Sequence, residues 1–493
     1  MLICVSVSPF LVTSLLGKGP LLAIYRSKLT VFIVDDKLGA LTSCNISSSD
    51  NGFFLRFFYF GCEPMFIWKN IFVRHIIPSF FRSKVRHKGR KYLLECRILD
   101  SFKLKLSLQV NFMILTKSRI DLFELNPYEP CPCDSGAKFK FCCYKKAKAS
   151  KPKRIIDLSY SDGRIHNFVK QFWEKTDFHT CFAFNKEECD DLIKSAHSIQ
   201  NNRILNRISK DGHLYTISST GTKEGPVSYL NKISRNKAST FFGFCNIHDT
   251  ELFRPIEKKE YIGESIQNFL FAFRAHAIEH HKKLRKLNSQ KNIFIEFPFT
   301  MLEKEHIYVY RVAQLDVRDC SVDYEVFKKD YSNANFDNFR TLYRKLDFEV
   351  SFAACSSFAV EYDLEGNIMN DIYSVGYEHM PSIYVNVYPT SGGTNILLSY
   401  HLNNDGTYKN YFDQLEKLKN EDLLKYLNFL LIQYTENIFF DPFFIENLSE
   451  KQKNSLLKSF DSSIYPIEKA ILISKGSYYK FNLFEKNMDK SDS

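Results

Sequence analysis

Four closely spaced cysteines restrict this chain more than any other feature of its sequence. Cys131 and Cys133 form a C-x-C pair, and Cys142 and Cys143 form a C-C pair eight residues further on. Zinc binds four thiolates in a tetrahedron at structural sites, and two such short pairs can close on one ion. Pairs this close are unlike the disulfide framework of a secreted domain, so zinc in a reducing cytoplasm fits them better. Free cysteines without a metal are the alternative.

The residues around the cysteines resemble the SEC-C motif, which is best known from the C-terminal tail of the bacterial preprotein translocase motor. The likeness covers residues 126–144, NPYEPCPCDSGAKFKFCCY, and it includes Ser135, Gly136, Phe139 and Lys140. Two positions depart from the motif: Asp134 stands where glycine is usual, and Asn126 is followed by PYEP instead of Asp-Pro. Neither departure removes a ligand.

The resemblance implies that Cys131, Cys133, Cys142 and Cys143 are zinc ligands. It also implies a bacterial-type protein of the cytoplasm that docks to a protein or ribosomal surface through this module, but it does not by itself imply catalysis. The run KKAKASKPKR at 145–154 then reads as a solvated basic linker.

The net charge of +11 is unevenly distributed, because nearly all of it lies in residues 1–112, while residues 113–493 are close to neutral. Three interpretations of residues 1–112 compete: a basic domain that contacts nucleic acid, a membrane-associated leader, or a misplaced start with the true start near Met113. The apolar run at 2–16 is shorter than the ~20 residues of a spanning helix, so no membrane partner is expected.

The sequence predicts an α+β fold, with the small zinc module at 113–150 followed by a large mixed domain with a mainly antiparallel sheet and C-terminal helices. We divide that domain into a mixed part with Cys/His pairs at 151–290 and a strand-rich part ending in helices at 291–493. Apolar spacing predicts a helix over 263–287. The remaining expected elements are a helix at 186–200, a strand pair around Asp211-Gly212, strands at 293–299, 307–312, 348–354 and 382–388, and helices within 408–461.

A second metal site is predicted from two pairs of soft ligands, Cys189-x7-His197 and Cys245-x2-His248. The Ala-His of SAHSIQ, followed later by CNIHD, also resembles part of an HNH-type nuclease, which would use His197, His248 and Asp249. In such enzymes a histidine acts as general base on a water and a divalent ion stabilises the leaving oxygen. The central asparagine of that motif has no clear counterpart here. Ordinary core cysteines and hydrogen-bonded histidines are the plain alternative.

A third group, His276, Glu279 and His280, has the HxxEH spacing, which places both histidines on one face of the predicted helix. Arg274-x5-His280 matches a loose spacing found in some helical ribonucleases. Both patterns are short, and an exposed basic helix end explains HHKK at 280–283 equally well.

These observations favour a zinc-binding adaptor whose zinc knuckle is the docking element. The alternative is a metal-dependent hydrolase that acts on nucleic acid, through His197, His248 and Asp249 or through His276, Glu279 and His280. The near-neutral charge of residues 113–493 weakens the alternative, because binding to a phosphate backbone normally needs a basic surface. The sequence leaves the oligomeric state open.

Overall fold

The computed structural model describes the backbone of seven N-terminal strands, and residues 122–484 apart from 154, 157–158, 190–195, 224, 373–377, 465–471 and 473–480. The chain divides into two compact units: the N-terminal strands lie in one, and the described residues from 122 onward lie in the other. Met113, to which the start-site hypothesis refers, and residues 7–16 of the apolar run, to which the leader hypothesis refers, lie outside the described residues.

The N-terminal strands pair in an antiparallel manner. Five of them form a sheet in chain order, β1 (Leu2–Ser6), β2 (Leu29–Asp35), β3 (Ala40–Ser49), β4 (Gly52–Phe60) and β5 (Lys69–Val73). Strands β6 (Phe81–His87) and β7 (Arg90–Cys96) form a separate hairpin. The sequence showed no clear strand periodicity in this region, so these strands were not predicted.

The second unit contains ten α-helices and nine strands among its described residues. The helices are α1 (Tyr144–Ala149), α2 (Asp162–Glu174), α3 (Asn246–Leu252), α4 (Arg254–Glu257), α5 (Ser265–Glu296), α6 (Lys304–Ser332), α7 (Asp405–Lys417), α8 (Asn420–Tyr434), α9 (Pro442–Asn447) and α10 (Glu450–Asp461). The strands are β8 (Ala196–His197), β9 (His213–Thr222), β10 (Gly225–Ser234), β11 (Thr240–Phe241), β12 (Phe339–Leu346), β13 (Phe352–Phe358), β14 (Ile383–Thr390), β15 (Gly393–His401) and β16 (Ile438–Phe440).

Seven of these strands form one antiparallel sheet in the order β10-β9-β16-β13-β14-β15-β12, which confirms the predicted α+β class. Strands β8 and β11 pair separately. A turn with Gly392 at φ 72° joins β14 to β15. No helix among the described residues is both long enough and apolar enough to cross a membrane.

The central strands β14 and β15 are buried along almost their whole length because helices cover both faces of the sheet. Alternate residues of β14 enter different clusters: Tyr384 and Tyr388 pack with α5, whereas Val385 and Val387 pack with α7 and α8. The Tyr388 ring stacks on Phe271 of α5 at a centroid distance of 5.4 Å. Residues buried on both faces lose the polar alternation of a half-exposed strand.

Helices α5 and α6 form the long helical pair that positions the candidate sites. The short 3₁₀ turn Pro298–Leu302 connects them, and Asp316 of α6 forms ion pairs with Lys283 and Lys286 of α5. The predicted helix at 263–287 is thus confirmed and extends to Glu296. The predicted strands at 293–299 and 307–312 are wrong, because these residues belong mainly to the two helices. The division placed at 290/291 falls inside α5.

Two other local predictions differ from the structure. The described residues of the predicted helix at 186–200 are not helical: residues 186–189 are irregular, and Ala196 and His197 form strand β8. Residues 190–195 lie outside the described part of the chain. Asp211 and Gly212 do form a tight turn, with φ of 51° and 70°. Only an isolated bridge between Lys210 and His213 flanks that turn, since residues 201–205 form a π-helix, and the long hairpin is β9–β10.

Candidate metal centres

The sulfur atoms of Cys131, Cys133, Cys142 and Cys143 converge, all within 4.8 Å of one another. The Sγ atom of Cys133 lies 3.4 Å from that of Cys131 and 3.5 Å from that of Cys142, and the Sγ atoms of Cys142 and Cys143 are 3.7 Å apart. A disulfide would bring two sulfur atoms to about 2.05 Å. Zn–S bonds of about 2.3 Å in a tetrahedron place the sulfur atoms about 3.8 Å apart, so the four thiols fit one zinc-sized cation.

Backbone hydrogen bonds bring the two cysteine pairs together. The Cys131 amide donates to the Ala137 carbonyl at 2.8 Å, and the Phe139 amide donates to the Glu129 carbonyl at 2.9 Å. Between them the chain reverses through two left-handed residues, Asp134 at φ 58° and Gly136 at φ 76°. The turn therefore places the C-x-C pair against the C-C pair before any ligand is considered.

Residues 126–144, which we call the knuckle, rest on an apolar cluster at the junction of α5 and α6. Phe139 is 1% exposed and packs edge-on against Tyr144 at 5.4 Å. It belongs to one cluster with Phe294 of α5 and with Ile307 and Tyr310 of α6. The module is thus an integral part of the second unit.

Two ion pairs fix the orientation of the knuckle. The Arg311 Nη2 atom donates to both carboxylate oxygens of Glu129, at 2.7 and 2.8 Å. The Lys291 Nζ atom lies 2.7 Å from Oδ2 of Asp134, the residue that departs from the SEC-C motif. Because Lys291 lies on α5 and Arg311 lies on α6, each long helix contributes one contact.

The four thiols do not behave as independent groups. Burial is the largest cause that raises the pKa of the Cys131 and Cys143 thiols, and neighbouring thiols raise that of Cys143 further. In Cys133 burial is outweighed by hydrogen bonds from Ser135 and from neighbouring thiols, which lower the pKa to about 6. Four thiolates packed this closely repel one another, so a bound cation is what allows all four to ionise together.

The outer side of the knuckle carries two exposed aromatic rings and two lysines, which we call the basic aromatic surface: Tyr128, Lys138, Lys140 and Phe141. Tyr128 is 56% exposed and Phe141 is 72% exposed. The Lys140 Nζ atom donates to the Tyr128 hydroxyl at 3.0 Å and lies 5.0 Å from the Tyr128 ring centroid and 5.9 Å from that of Phe141. The exposed lysines at 145, 146, 148, 151 and 153 follow in sequence.

A second group of ligand atoms comes from Cys181, Cys189, Cys245 and His248, again all within 4.8 Å of one another. The Nδ1 atom of His248 lies 3.5 Å from Sγ of Cys181, 3.6 Å from Sγ of Cys189 and 3.0 Å from Sγ of Cys245. Cys189 is exposed and the other three are buried. Helix α3 begins just after Cys245, which places His248 one turn away on the same side.

The membership of this second group differs from the predicted set, because Cys181 and not His197 lies with the other three. His197 is in β8, paired with Thr240, and burial is the largest cause that lowers its pKa. Cys181 lies 64 residues from Cys245 in sequence, and no local spacing indicates that they meet. The backbone explains it: the amides of Thr180 and Phe182 donate to the carbonyls of Phe242 and Gly243, at 3.0 and 2.8 Å.

Asp249 and Arg274 belong to a buried charge network next to this group. The Arg274 Nη2 atom lies 2.5 Å from Oε1 of Glu257 and 3.8 Å from Oδ1 of Asp249. Burial raises the pKa of Asp249, an effect that Arg274 partly offsets. The guanidinium therefore neutralises carboxylates inside the protein, and it also lines a cavity of about 10 Å³, large enough for roughly one water.

The remaining candidates, His276, Glu279 and His280, all lie on α5 and are buried. Ser356 Oγ and Lys282 Nζ both contact Glu279 Oε1 at 3.1 Å. Burial lowers the pKa of both histidines, that of His280 to about 4. In the part of the chain that the structure describes, metal-ligand atoms converge in two groups, and these three side chains belong to neither.

Comparisons of the chain with known protein families, with curated proteins and with solved structures find no match.

Proposed function

We propose that this protein is a zinc-binding adaptor and that its zinc knuckle, residues 126–144, is the docking element. The observation that carries the proposal is the convergence of four sulfur atoms in the same short segment, residues 126–144, that carries the basic aromatic surface. Four thiolates favour zinc among common divalent cations, and they leave no coordination position for a substrate or water. The metal at this site would be structural, shaping the surface that a partner contacts.

The basic aromatic surface fits an acidic protein partner. Two carboxylates of the same segment already form ion pairs, Asp134 with Lys291 and Glu129 with Arg311. The positive charge of the lysines therefore dominates the outer face. Exposed aromatic rings add apolar contact area at low cost in side-chain entropy. The Lys140 ammonium lies close to both rings, which leaves them less available to stack on nucleic-acid bases, so carboxylates of a protein are the better match.

The hydrolase alternative receives less support from the geometry. A catalytic zinc site keeps an open coordination position, whereas both groups supply four protein ligand atoms. His248, one of its proposed catalytic residues, faces three thiols instead. Glu279, its other candidate acid or base, accepts hydrogen bonds from Ser356 and Lys282. Docking therefore remains the function that we propose.

Fluorescence anisotropy with two probes of equal charge, a labelled poly-glutamate peptide and a labelled single-stranded RNA, tests this function on the zinc-loaded full chain. We expect saturable binding of the peptide, weakened about tenfold, or about 1.4 kcal/mol, in the double variant Lys138→Glu/Lys140→Glu. The matched control, Lys417→Glu/Lys419→Glu, reverses two exposed lysines at the end of α7 and just before α8, and it should bind as the wild type does. Tighter binding of the RNA, or equal losses in both double variants, would overturn the proposal.

A further inference from the structure

We infer that Cys181, Cys189, Cys245 and His248 form a second structural zinc site, of the Cys3His type. This site goes beyond the docking function proposed above and does not depend on it. Its ligands come from the loop that contains Cys181 and Cys189 and from the turn into α3.

The strongest reason is that hydrogen bonding cannot account for the three sulfur atoms that lie close to the Nδ1 atom of His248. A ring nitrogen carries either one proton or one lone pair, so Nδ1 can make one good hydrogen bond. Three sulfur atoms nevertheless lie 3.0 to 3.6 Å from that single atom. Bonds of about 2.3 Å from zinc to sulfur and about 2.05 Å to nitrogen place sulfur and nitrogen about 3.5 Å apart in a tetrahedron. A central cation explains all three distances at once.

The burial of the group supports the same conclusion. Cys181 and Cys245 belong to one apolar cluster with Phe244 and Phe253. Three sulfur atoms and one imidazole nitrogen from separate segments converge here, all within 4.8 Å of one another, which is the arrangement of a structural zinc site.

The identity and role of the metal follow from its donors. Three thiolates and one imidazole are a common structural zinc set, and four protein ligands close the coordination sphere. The Lys186 ammonium contacts the carbonyl of Cys181, so a positive charge lies close to a site whose net charge with zinc would be negative. The ion would fasten the 181–189 segment to the turn before α3.

Zinc content measured on the purified full chain, together with thiol mapping, tests this site. We expect two zinc ions per chain, one in Cys142→Ser/Cys143→Ser, and one in Cys181→Ser/Cys245→Ser. The control His197→Ala should keep two, because Cys181 replaces His197 in the ligand set. If only Cys142→Ser/Cys143→Ser lost zinc, the second site would be refuted and zinc binding by the knuckle would stand. If only Cys181→Ser/Cys245→Ser lost zinc, the second site would stand and zinc binding by the knuckle would be refuted.

Thiol mapping needs no variant and so does not depend on the variants folding. Cys189 is exposed and would react quickly with iodoacetamide if it were a free thiol. We expect peptide mass mapping to find it protected in the native protein and labelled once a chelator has removed the metal. Rapid labelling of Cys189 before chelation, with one zinc per chain, would overturn the inference.

Discussion

The guanidinium of Arg311 donates to both oxygens of the Glu129 carboxylate, at 2.7 and 2.8 Å, and thereby fastens the knuckle to helix α6. The Arg311 side chain is only 6% exposed, so this pair is shielded from water and salt. Glu129 also accepts a hydrogen bond from the Asn126 amide at 3.0 Å. One carboxylate therefore orders the entry of the cysteine loop and its attachment to the helical pair.

Replacement of Glu129 by glutamine should destabilise the protein by about 2 kcal/mol, because it leaves a buried guanidinium without its carboxylate. Urea unfolding of the zinc-loaded protein measures the change. The matched control is Glu174→Gln in the exposed pair with Lys170, which should cost about 0.5 kcal/mol or less. Equal losses in the two variants would contradict a shielded pair.

Asp134 combines two opposing effects, and a pair of substitutions separates them. Its φ of 58° favours glycine, by about 1 kcal/mol, whereas its carboxylate contacts Lys291. Asp134→Gly relieves the backbone but loses the ion pair, so its free energy of unfolding should change by no more than about 0.5 kcal/mol. Asp134→Ala loses the ion pair and keeps an unfavourable φ, so it should cost about 1 kcal/mol. If urea unfolding found Asp134→Ala more stable than Asp134→Gly, the backbone of the turn would have changed its conformation and the predicted cost of the positive φ would be wrong.

His280 makes the stability depend on pH. Burial, followed by the nearby His281, lowers its pKa from 6.5 to about 4. The folded state therefore holds it neutral, and its contribution is full above pH 6.5 and is lost as the pH falls towards 4. His280→Phe retains an aromatic ring beside Phe182, 5.1 Å away, and removes the proton. As the pH falls from roughly 7.5 to roughly 5, the free energy of unfolding of the variant should rise by about 2 kcal/mol relative to that of the wild type.

Urea unfolding at both pH values measures that difference, and carboxylates that titrate in both proteins cancel from it. A difference that does not change with pH would show that His280 titrates alike in the folded and unfolded states. The Phe182→Leu variant changes the packing next to this ring but keeps the histidine, so it should retain the wild-type slope with pH.

The sequence predicts the long α5 helix because its apolar residues recur at helical spacing, but the pattern at the start of α6 predicts a strand instead. Ile307 and Tyr310 are buried three residues apart, as on a helix face. The residues between them are Tyr308 and Val309, which are apolar as well, so the helical period was hidden in a run typical of strands. Packing beneath the knuckle, which involves Phe139 and Phe294, determines the helix instead.

The two candidate metal centres differ in how much their sequence reveals. All four knuckle cysteines lie within thirteen residues, so spacing alone indicated a common site. The second group joins Cys181 to Cys245 through hydrogen bonds between distant segments, and local spacing selected His197 instead of Cys181. Only the three-dimensional path of the chain resolves such a choice.

Phe139 and Phe141 are two residues apart and should separate stability from docking. Phe139 is 1% exposed within the apolar base of the knuckle, so Phe139→Ala should cost about 3 kcal/mol and promote loss of zinc from the adjacent cysteines. Phe141 is 72% exposed, so Phe141→Ala should change the free energy of unfolding by less than about 0.5 kcal/mol. It should nevertheless weaken binding of the poly-glutamate peptide several-fold, because Phe141 belongs to the basic aromatic surface. Urea unfolding, zinc content and anisotropy measure the three quantities on the same two variants. If Phe141→Ala bound as the wild type does while Lys138→Glu/Lys140→Glu did not, docking would rest on charge alone, and the aromatic part of the proposed surface would be wrong.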